Sequence, residues 1–321
     1  MSNYHVSVFG GGSVGLCLAA HFAKAGARVT LLVRKTAMSA LDNVPIEISG
    51  ALGSHTIPAG AIAIADAAKP DDHVFQSNML ILNTKADDVE AALRPFAGSP
   101  TKPSVLLMQN GIGSAEITKN VLGSGVPVFS TAMMIGMVRL APNKADVSAY
   151  AAPIGCGTLL DEKIGPLENL LNVAQHGFVP MIQDPSIHET ILSKLLLNSC
   201  LNPTGALTGQ TYGQLLEDPA SRQLVVDLAD ETLAAFSSAF DYRPAKNGQH
   251  YVDEILSSIV SKGGGRHHSS MHHDIQSGRK TEIEFLNGAI IKMARKEGLL
   301  ALRHEVVTQL IRAREASKLV Q

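Results

Sequence analysis

Tryptophan is absent from this 321-residue chain, and all aromatics together make up only 4% of it. A groove that stacks nucleic-acid bases needs aromatic platforms, so the composition argues against one. No charge dominates either: 27 basic side chains stand against 29 acidic ones, for a net charge of −2. That balance removes the cationic footprint that tight nucleic-acid binding requires. Cysteine is scarce. Cys17, Cys156 and Cys200 lie far apart with no CxxC pair, which fits neither a disulfide framework nor a zinc knuckle. No apolar run approaches the roughly 18 residues that span a bilayer. The first strand is expected within a few residues of Met1, leaving no room for a signal peptide. The expectation is a cytoplasmic protein in a reducing compartment, with no membrane and no nucleic-acid partner.

What is present fits a globular chain: 45% hydrophobic and 17% charged residues, too apolar for disorder. The length is that of about two domains. The N-terminal half alternates short β-branched runs with helical stretches, the mark of a parallel α/β sheet. Strands are predicted at Val6–Phe9, Arg28–Val33, Ile62–Ala65, Met79–Asn83, Ser104–Leu107 and Val126–Phe129. Helices are predicted at Ser13–Ala25, closed by Gly26, and at Asp87–Leu93 and Ser114–Leu122. A Gly- and Ala-rich stretch from Met133 to Leu160 reads as antiparallel strands finishing the sheet. From Ile187 the apolar residues recur at helical spacing. Later helices are predicted near Ala220–Phe240, Val252–Ser261, Thr281–Glu297 and His304–Ser317. The boundary is placed near Asp184. There is no internal repeat.

Gly10, Gly11, Gly12, Ser13, Val14 and Gly15 follow the first strand and open the first helix. The spacing satisfies G-x-G-x-x-G. The first glycine permits the tight turn, the second lets backbone N–H groups approach a pyrophosphate, and the third lets helix pack on strand. Alone the pattern is weak, but its strand–turn–helix context points to a dinucleotide. An NAD site usually places an acid about 20 residues further on to bind the ribose hydroxyl. Here the first carboxylate is Asp42, and the second strand ends instead in Arg34 and Lys35. Those cations suit a 2′-phosphate, which favours NADP(H); they are also what an ordinary exposed loop carries.

Lys194, Asn198 and Asn202 are spaced by four and share one leucine-flanked helical stripe. A lysine among apolar residues is a candidate proton donor, because burial lowers its pKa. Spacing alone leaves a snorkelling lysine equally open. Further on, His267, His268, His272 and His273 crowd one segment. No H-E-x-x-H motif is present there, so no metal is expected. Thr281 and Glu284 fit a capping box, which would put Glu282 in a first helical turn.

Five blocks, GGGSVG, NTKADD, QNG, KLLLNSCLNP and SSMHHDIQSGRKTEIEFLNG, run nearly end to end. In order and spacing the chain resembles the ketopantoate reductase (2-dehydropantoate 2-reductase) family. The resemblance implies an α/β fold: an N-terminal Rossmann-type NADP-binding domain over residues 1–184 and an all-helical substrate and catalytic domain over 185–321, with the active site in the cleft between them. It implies that Lys194 protonates the substrate carbonyl oxygen and that Glu282 pairs with it. Asn198, Asn202 and Ser270 match substrate-contacting residues. Asn110 and Lys85 match residues beside the cofactor and the cleft, and Arg34 matches the arginine on the 2′-phosphate. The implied activity is NADPH-dependent reduction of 2-dehydropantoate to (R)-pantoate, a step towards pantothenate and coenzyme A. The expected partner is a small 2-oxo acid, with a homodimer as the assembly.

One departure stands out. Some members carry a further substrate-touching asparagine shortly after the lysine helix, where this chain has Gln210-Thr211-Tyr212-Gly213. The family also holds D-2-hydroxyacid dehydrogenases that use NAD, so another 2-oxo acid is the first alternative. A noncatalytic NADP(H)-binding sensor is the second. Such a sensor would be expected to have lost the lysine or the glutamate, and both are present.

Overall fold

A strand at the centre of a parallel sheet is covered on both faces, and the first strand, β1 (His5–Phe9), is buried at every position, its polar His5 and Ser7 included. The computed structural model describes residues 4–261 and 264–318. After β1 come β2 (Arg28–Val33), β3 (Ile46–Gly50), β4 (His55–Ile57), β5 (Ala63–Asp66), β6 (Met79–Leu82) and β7 (Ser104–Leu107). Then follow β8 (Val128–Ala132), β9 (Ile135–Ala141), β10 (Lys144–Tyr150), β11 (Ile154–Gly157) and β12 (Met181–Gln183).

One sheet runs β12-β11-β8-β7-β6-β1-β2-β5. Its neighbours are parallel except β11, which is antiparallel to β8. Val6 of β1 pairs with Val29 on one side and Met79 on the other. The strand order therefore reverses at β1. In doubly wound sheets, ligands bind beyond the carboxyl end of such a switch point.

The helix α1 (Ser13–Lys24) leaves that end. Gly26, at φ +83°, terminates it. Its amide donates to Ala23 O, and that of Ala27 donates to Phe22 O, the paired bonds of a left-handed helix end. Leu16, Leu18, Ala19 and Phe22 are fully buried, and a second helix, α2 (Ser114–Leu122), follows β7.

The stretch from Met133 to Leu160 departs from expectation. Only β11 completes the main sheet. The hairpin β9–β10 instead joins a second sheet, β4-β3-β10-β9, in which β10 is parallel to β3. Its inner residues Ile46, Ile48, Ile57, Ile135, Ala145 and Val147 share one core with Leu16 and Leu18 of α1. Burial of α1, rather than pairing with the main sheet, fixes where the hairpin lies.

The chain forms two compact units: Met1–Gln109 with Ser114–Thr190, and Asn110–Gly113 with Ile191–Gln321. The first turn of α3 (Ile187–Thr208) thus belongs to the first unit, because Thr190 Oγ1 donates to Asp184 Oδ2 at 2.7 Å. A Cβ on Gly157 would meet Ile187 at 2.6 Å, so the turn closes tightly over β11.

The second unit is helical among its described residues. It contains most of α3, then α4 (Tyr212–Glu217), α5 (Pro219–Phe240), α6 (Ser270–Gln276), α7 (Asn287–Lys296) and α8 (Leu302–Lys318). Pro203 lies inside α3. The predicted helix over 252–261 opens with a π turn, Tyr251–Leu256. The helix α6, where the sequence shows only clustered histidines, is capped by Ser269, whose Oγ accepts from His272 N at 3.1 Å.

The helix expected over 281–297 is broken: a 3₁₀ turn, Ile283–Phe285, precedes α7. The capping box does not form. Glu284 turns to α8 and takes a bidentate pair from Arg312 at 2.7 and 2.8 Å. The Thr281 amide, which a capping glutamate would have satisfied, donates to Glu315 at 2.7 Å. Two partners distant in sequence outcompete the local motif. No helix among the described residues is long and apolar enough to cross a membrane.

Candidate active site

In the first unit the glycine loop follows β1 directly. A Cβ on Gly15 would lie 1.8 Å from Gly10 O, so the turn and the helix start cannot close around a side chain there. A Cβ on Gly12 would meet nothing within 4 Å. Gly12 is exposed, occupies the N-cap of α1 and offers no side-chain acceptor to the first-turn amides. The Ser13 hydroxyl is committed elsewhere, donating to Met137 O at 3.1 Å, and the Val14 side chain has no polar atom. An open concavity facing unsatisfied N–H groups at a helix N-terminus suits a pyrophosphate.

Arg34 and Lys35 follow β2 and are exposed. Among the described residues neither has an ion-pair partner. The structure adds an acid the sequence distance conceals: Asp66 of β5 sits in register with Val33. Its Oδ1 is already used by Ala68 N at 3.0 Å.

Lys85 is half-buried at the start of a 3₁₀ turn, Ala86–Asp88. Gln109, the first residue of the QNG block, braces that loop: its Nε2 donates to Leu82 O at 2.8 Å and to Thr84 O at 2.9 Å. Thr84 Oγ1 and Gln109 Oε1 remain buried without partners. Orphaned polar atoms at the carboxyl ends of β6 and β7, beside the switch point, are what a polar ligand would relieve. Only the NTK and QNG blocks signalled them.

In the second unit, Lys194, Asn198 and Asn202 lie on α3. Lys194 is half-buried among buried leucines. Burial pushes its ammonium pKa down to about 8, and the nearby Glu282 carboxylate opposes that fall. Glu282 directly precedes the 3₁₀ turn and accepts at Oε2 from Asn110 Nδ2 at 2.9 Å. Asn110 reaches it because residues 110–113 pack with the helical unit. Ile112 N donates to Phe285 O at 3.4 Å. Gly111, at φ +83°, could carry no Cβ, which would lie 2.0 Å from the same carbonyl. The glycine of QNG is thus a packing requirement. A lysine of lowered pKa beside a fixed carboxylate can deliver a proton to an oxygen near neutral pH.

Asn198 is 8% exposed, and its amide has no partner among the described residues. Asn202 is more enclosed: its Oδ1 accepts from the Tyr212 hydroxyl at 2.9 Å. Ser270 is exposed at the start of α6. Its neighbour Ser269 is fully buried and donates to Asn202 O at 3.2 Å. The structure therefore brings Lys194 to Glu282, Glu282 to Asn110, and Asn202 to Tyr212.

The rings of His268 and His272 stack at 4.5 Å, and that of His267 meets Tyr212 edge-on at 5.2 Å. Among the described residues, no group of three His, Cys, Asp or Glu is placed to hold a metal.

Two family models cover most of the chain. Residues 6–158 match "Ketopantoate reductase PanE/ApbA" and residues 186–315 match its "C terminal" counterpart. A "2-dehydropantoate 2-reductase" of Aquifex aeolicus is 27% identical over 314 residues, covering 96% of both chains. A PanE/ApbA family ketopantoate reductase from Ralstonia eutropha superposes with a TM-score of 0.84 at 20% identity, covering 98% of this chain and 99% of that one. A D-mandelate dehydrogenase solved with NADH and anilino(oxo)acetate superposes at 0.82, also at 20% identity and with the same coverage. The two structural likenesses speak for the fold, and the family models span both units: the chain belongs to the ketopantoate reductase PanE/ApbA family.

Proposed function

We propose that this oxidoreductase reduces 2-dehydropantoate to (R)-pantoate with NADPH, a step towards pantothenate and coenzyme A. The observation that carries the reading is Lys194, held at a pKa of about 8 next to a carboxylate that Asn110 fixes. When bound, NADPH supplies the hydride. The first-turn amides of α1 and the open face of Gly12 would hold its pyrophosphate, and Arg34 with Lys35 its 2′-phosphate.

Ketone reduction builds negative charge on oxygen, so a cation waiting there stabilises the transition state more than the ground state. Lys194 donates its proton to that oxygen. Glu282 keeps the ammonium charged despite burial, and Asn110 keeps Glu282 in place. Asn198 and Asn202 offer neutral amides to the substrate, which leave the charge balance of the pair intact. Ser270 would help hold the substrate carboxylate.

A second reading, a D-2-hydroxyacid dehydrogenase for a different 2-oxo acid, is favoured by Asp66 standing in register with Val33, an acid next to the end of β2 where an NAD ribose would be held. Initial rates with 2-dehydropantoate and a panel of bulkier 2-oxo acids, each with NADPH and NADH, separate the two. The first reading expects the largest kcat/KM for 2-dehydropantoate with NADPH. A bulkier acid reduced faster, or NADH preferred, would move the assignment to the second.

A further inference from the structure

Asn202 presents a chemical asymmetry. It is 3% exposed, yet only half of its amide is satisfied. Oδ1 accepts from the Tyr212 hydroxyl at 2.9 Å, while Nδ2 has no acceptor among the described residues. An amide that can flip offers a ligand either a donor or an acceptor. One whose oxygen is anchored on a fixed donor is held with its N–H group turned the other way, towards a ligand.

Tyr212 is itself firmly placed. Thr211 and Gln214 form a reciprocal capping box at the start of α4. The Tyr212 amide donates to His267 O at 3.0 Å, and its ring packs edge-on against His267. Gln210, just before it, is tied to α5, its Oε1 accepting from Ser221 Oγ at 2.6 Å. Burial pushes the phenol pKa far up, so the hydroxyl keeps its proton and stays a donor.

Asn202 lies eight residues, about 12 Å of helix, beyond Lys194. With the ketone oxygen at Lys194, Asn202 serves the far end of a 2-oxo acid. Between them stands the amide of Asn198, unpartnered among the described residues.

Building on the function proposed above, we propose that Tyr212 is a specificity-determining residue: it holds Asn202 with Nδ2 forward, selecting 2-oxo acids whose tail carries a hydroxyl oxygen. Asn202 donates to that oxygen, and the amide oxygen of Asn198 can take the hydroxyl proton. A tail without oxygen leaves both amides buried and unsatisfied, which a site built for hydrogen bonds penalises.

The test compares 2-dehydropantoate with its matched analogue lacking the hydroxyl, 3,3-dimethyl-2-oxobutanoate, as a ratio of kcat/KM values. In Tyr212→Phe the phenyl packing stays and the amide is released to turn. The preference for the hydroxylated acid should fall about tenfold, the net worth of one neutral hydrogen bond. Asn202→Asp, which keeps the acceptor for Tyr212 but loses the donor, should cause a comparable fall. An unchanged ratio in either folded variant overturns the proposal, and a fall in Tm alone makes Tyr212 a structural brace. Native enzyme that reduces both acids without preference also overturns it while leaving the reductase reading intact. Reduction of neither acid removes that reading and this inference with it.

Discussion

Asn110 donates through Nδ2 to Glu282 Oε2 at 2.9 Å, and Glu282 in turn raises the pKa of Lys194 against its burial. These residues form one electrostatic unit drawn from three separate sequence blocks. Lys194 must carry its proton to act as an acid, so kcat should decline as pH rises through about 8. Glu282→Gln removes the charge that holds this pKa up, and the alkaline limb should move to lower pH. Lys194→Ala should cut kcat by about 10²–10⁴, the usual worth of a positioned acid, with little effect on NADPH binding. The double variant Lys194→Ala/Glu282→Ala should lose less than the product of the single losses. An alkaline limb that does not move in Glu282→Gln would separate the two residues, and near-normal kcat in Lys194→Ala would send the search for the donor to Lys85.

Arg34 and Lys35 are exposed and without ion-pair partners among the described residues, so a 2′-phosphate would meet them uncontested. Charge-assisted bonds contribute roughly 1.5–3 kcal/mol each. Arg34→Ala should therefore weaken NADPH about tenfold or more and leave NADH almost unchanged, as read by fluorescence titration of each cofactor. Asp66 beside Val33 is the competing feature. Equal weakening of both cofactors, or NADH the tighter ligand in the native chain, would show that the acid rather than the arginine sets the choice.

The main sheet is legible in the sequence because its parallel strands, covered on both faces, are short runs dominated by apolar and β-branched residues: Arg28–Val33 and Ser104–Leu107 lie where the pattern puts them. The second sheet is not. Its β4 is only three residues long, and β9 turns Val138 and Leu140 to solvent, so no alternation marks the buried face. Glu284 misleads for a related reason. The capping box is a local pattern, and the residues that defeat it, Arg312 and Glu315, lie about thirty positions away. At the site, composition marks Lys194 but cannot show that Gln109 braces the NTK loop or that Tyr212 reaches Asn202. Those relations exist only once the helices are packed.

Two fully buried histidines set a limit on acid stability. His21 Nδ1 accepts the amides of Phe178 and Val179 at 2.9 and 3.0 Å, a bond pattern that leaves no room for a proton on that nitrogen. His304 Nε2 donates to Leu228 O at 3.0 Å while Nδ1 faces Asn287 Nδ2 at 2.9 Å. Burial lowers both pKa values from 6.5 to about 4. The unfolded chain takes up protons first as pH falls. The stability is complete above pH 6.5, declines below it, and is lost by about pH 4, costing up to roughly 3 kcal/mol for each histidine. The lowered carboxylates, Glu284 among them, act further down the scale, below the usual carboxylate range. Urea midpoints measured at intervals between pH 7 and 4 should fall steadily through this window, and a flat profile would refute it.

Asn287 repairs a defect that Pro203 creates. A proline inside a helix has no N–H for the carbonyl four residues back, and in α3 that carbonyl belongs to Ser199. Asn287 Nδ2 donates to Ser199 O at 2.9 Å and also meets His304 Nδ1. All of this lies in the buried core of the helical unit, directly beside Asn198. Asn287→Ala should leave the Ser199 carbonyl unsatisfied and cost about 1–3 kcal/mol, read as a lower urea midpoint with an unchanged slope. Pro203→Ala restores the missing N–H. If the carbonyl is the main loss, adding Pro203→Ala to Asn287→Ala should recover a substantial part of the stability, although His304 still lacks its donor. The two changes would then be non-additive in the stabilising direction. Simple additivity would mean that Asn287 acts chiefly through His304 and that the helix tolerates Pro203 unaided.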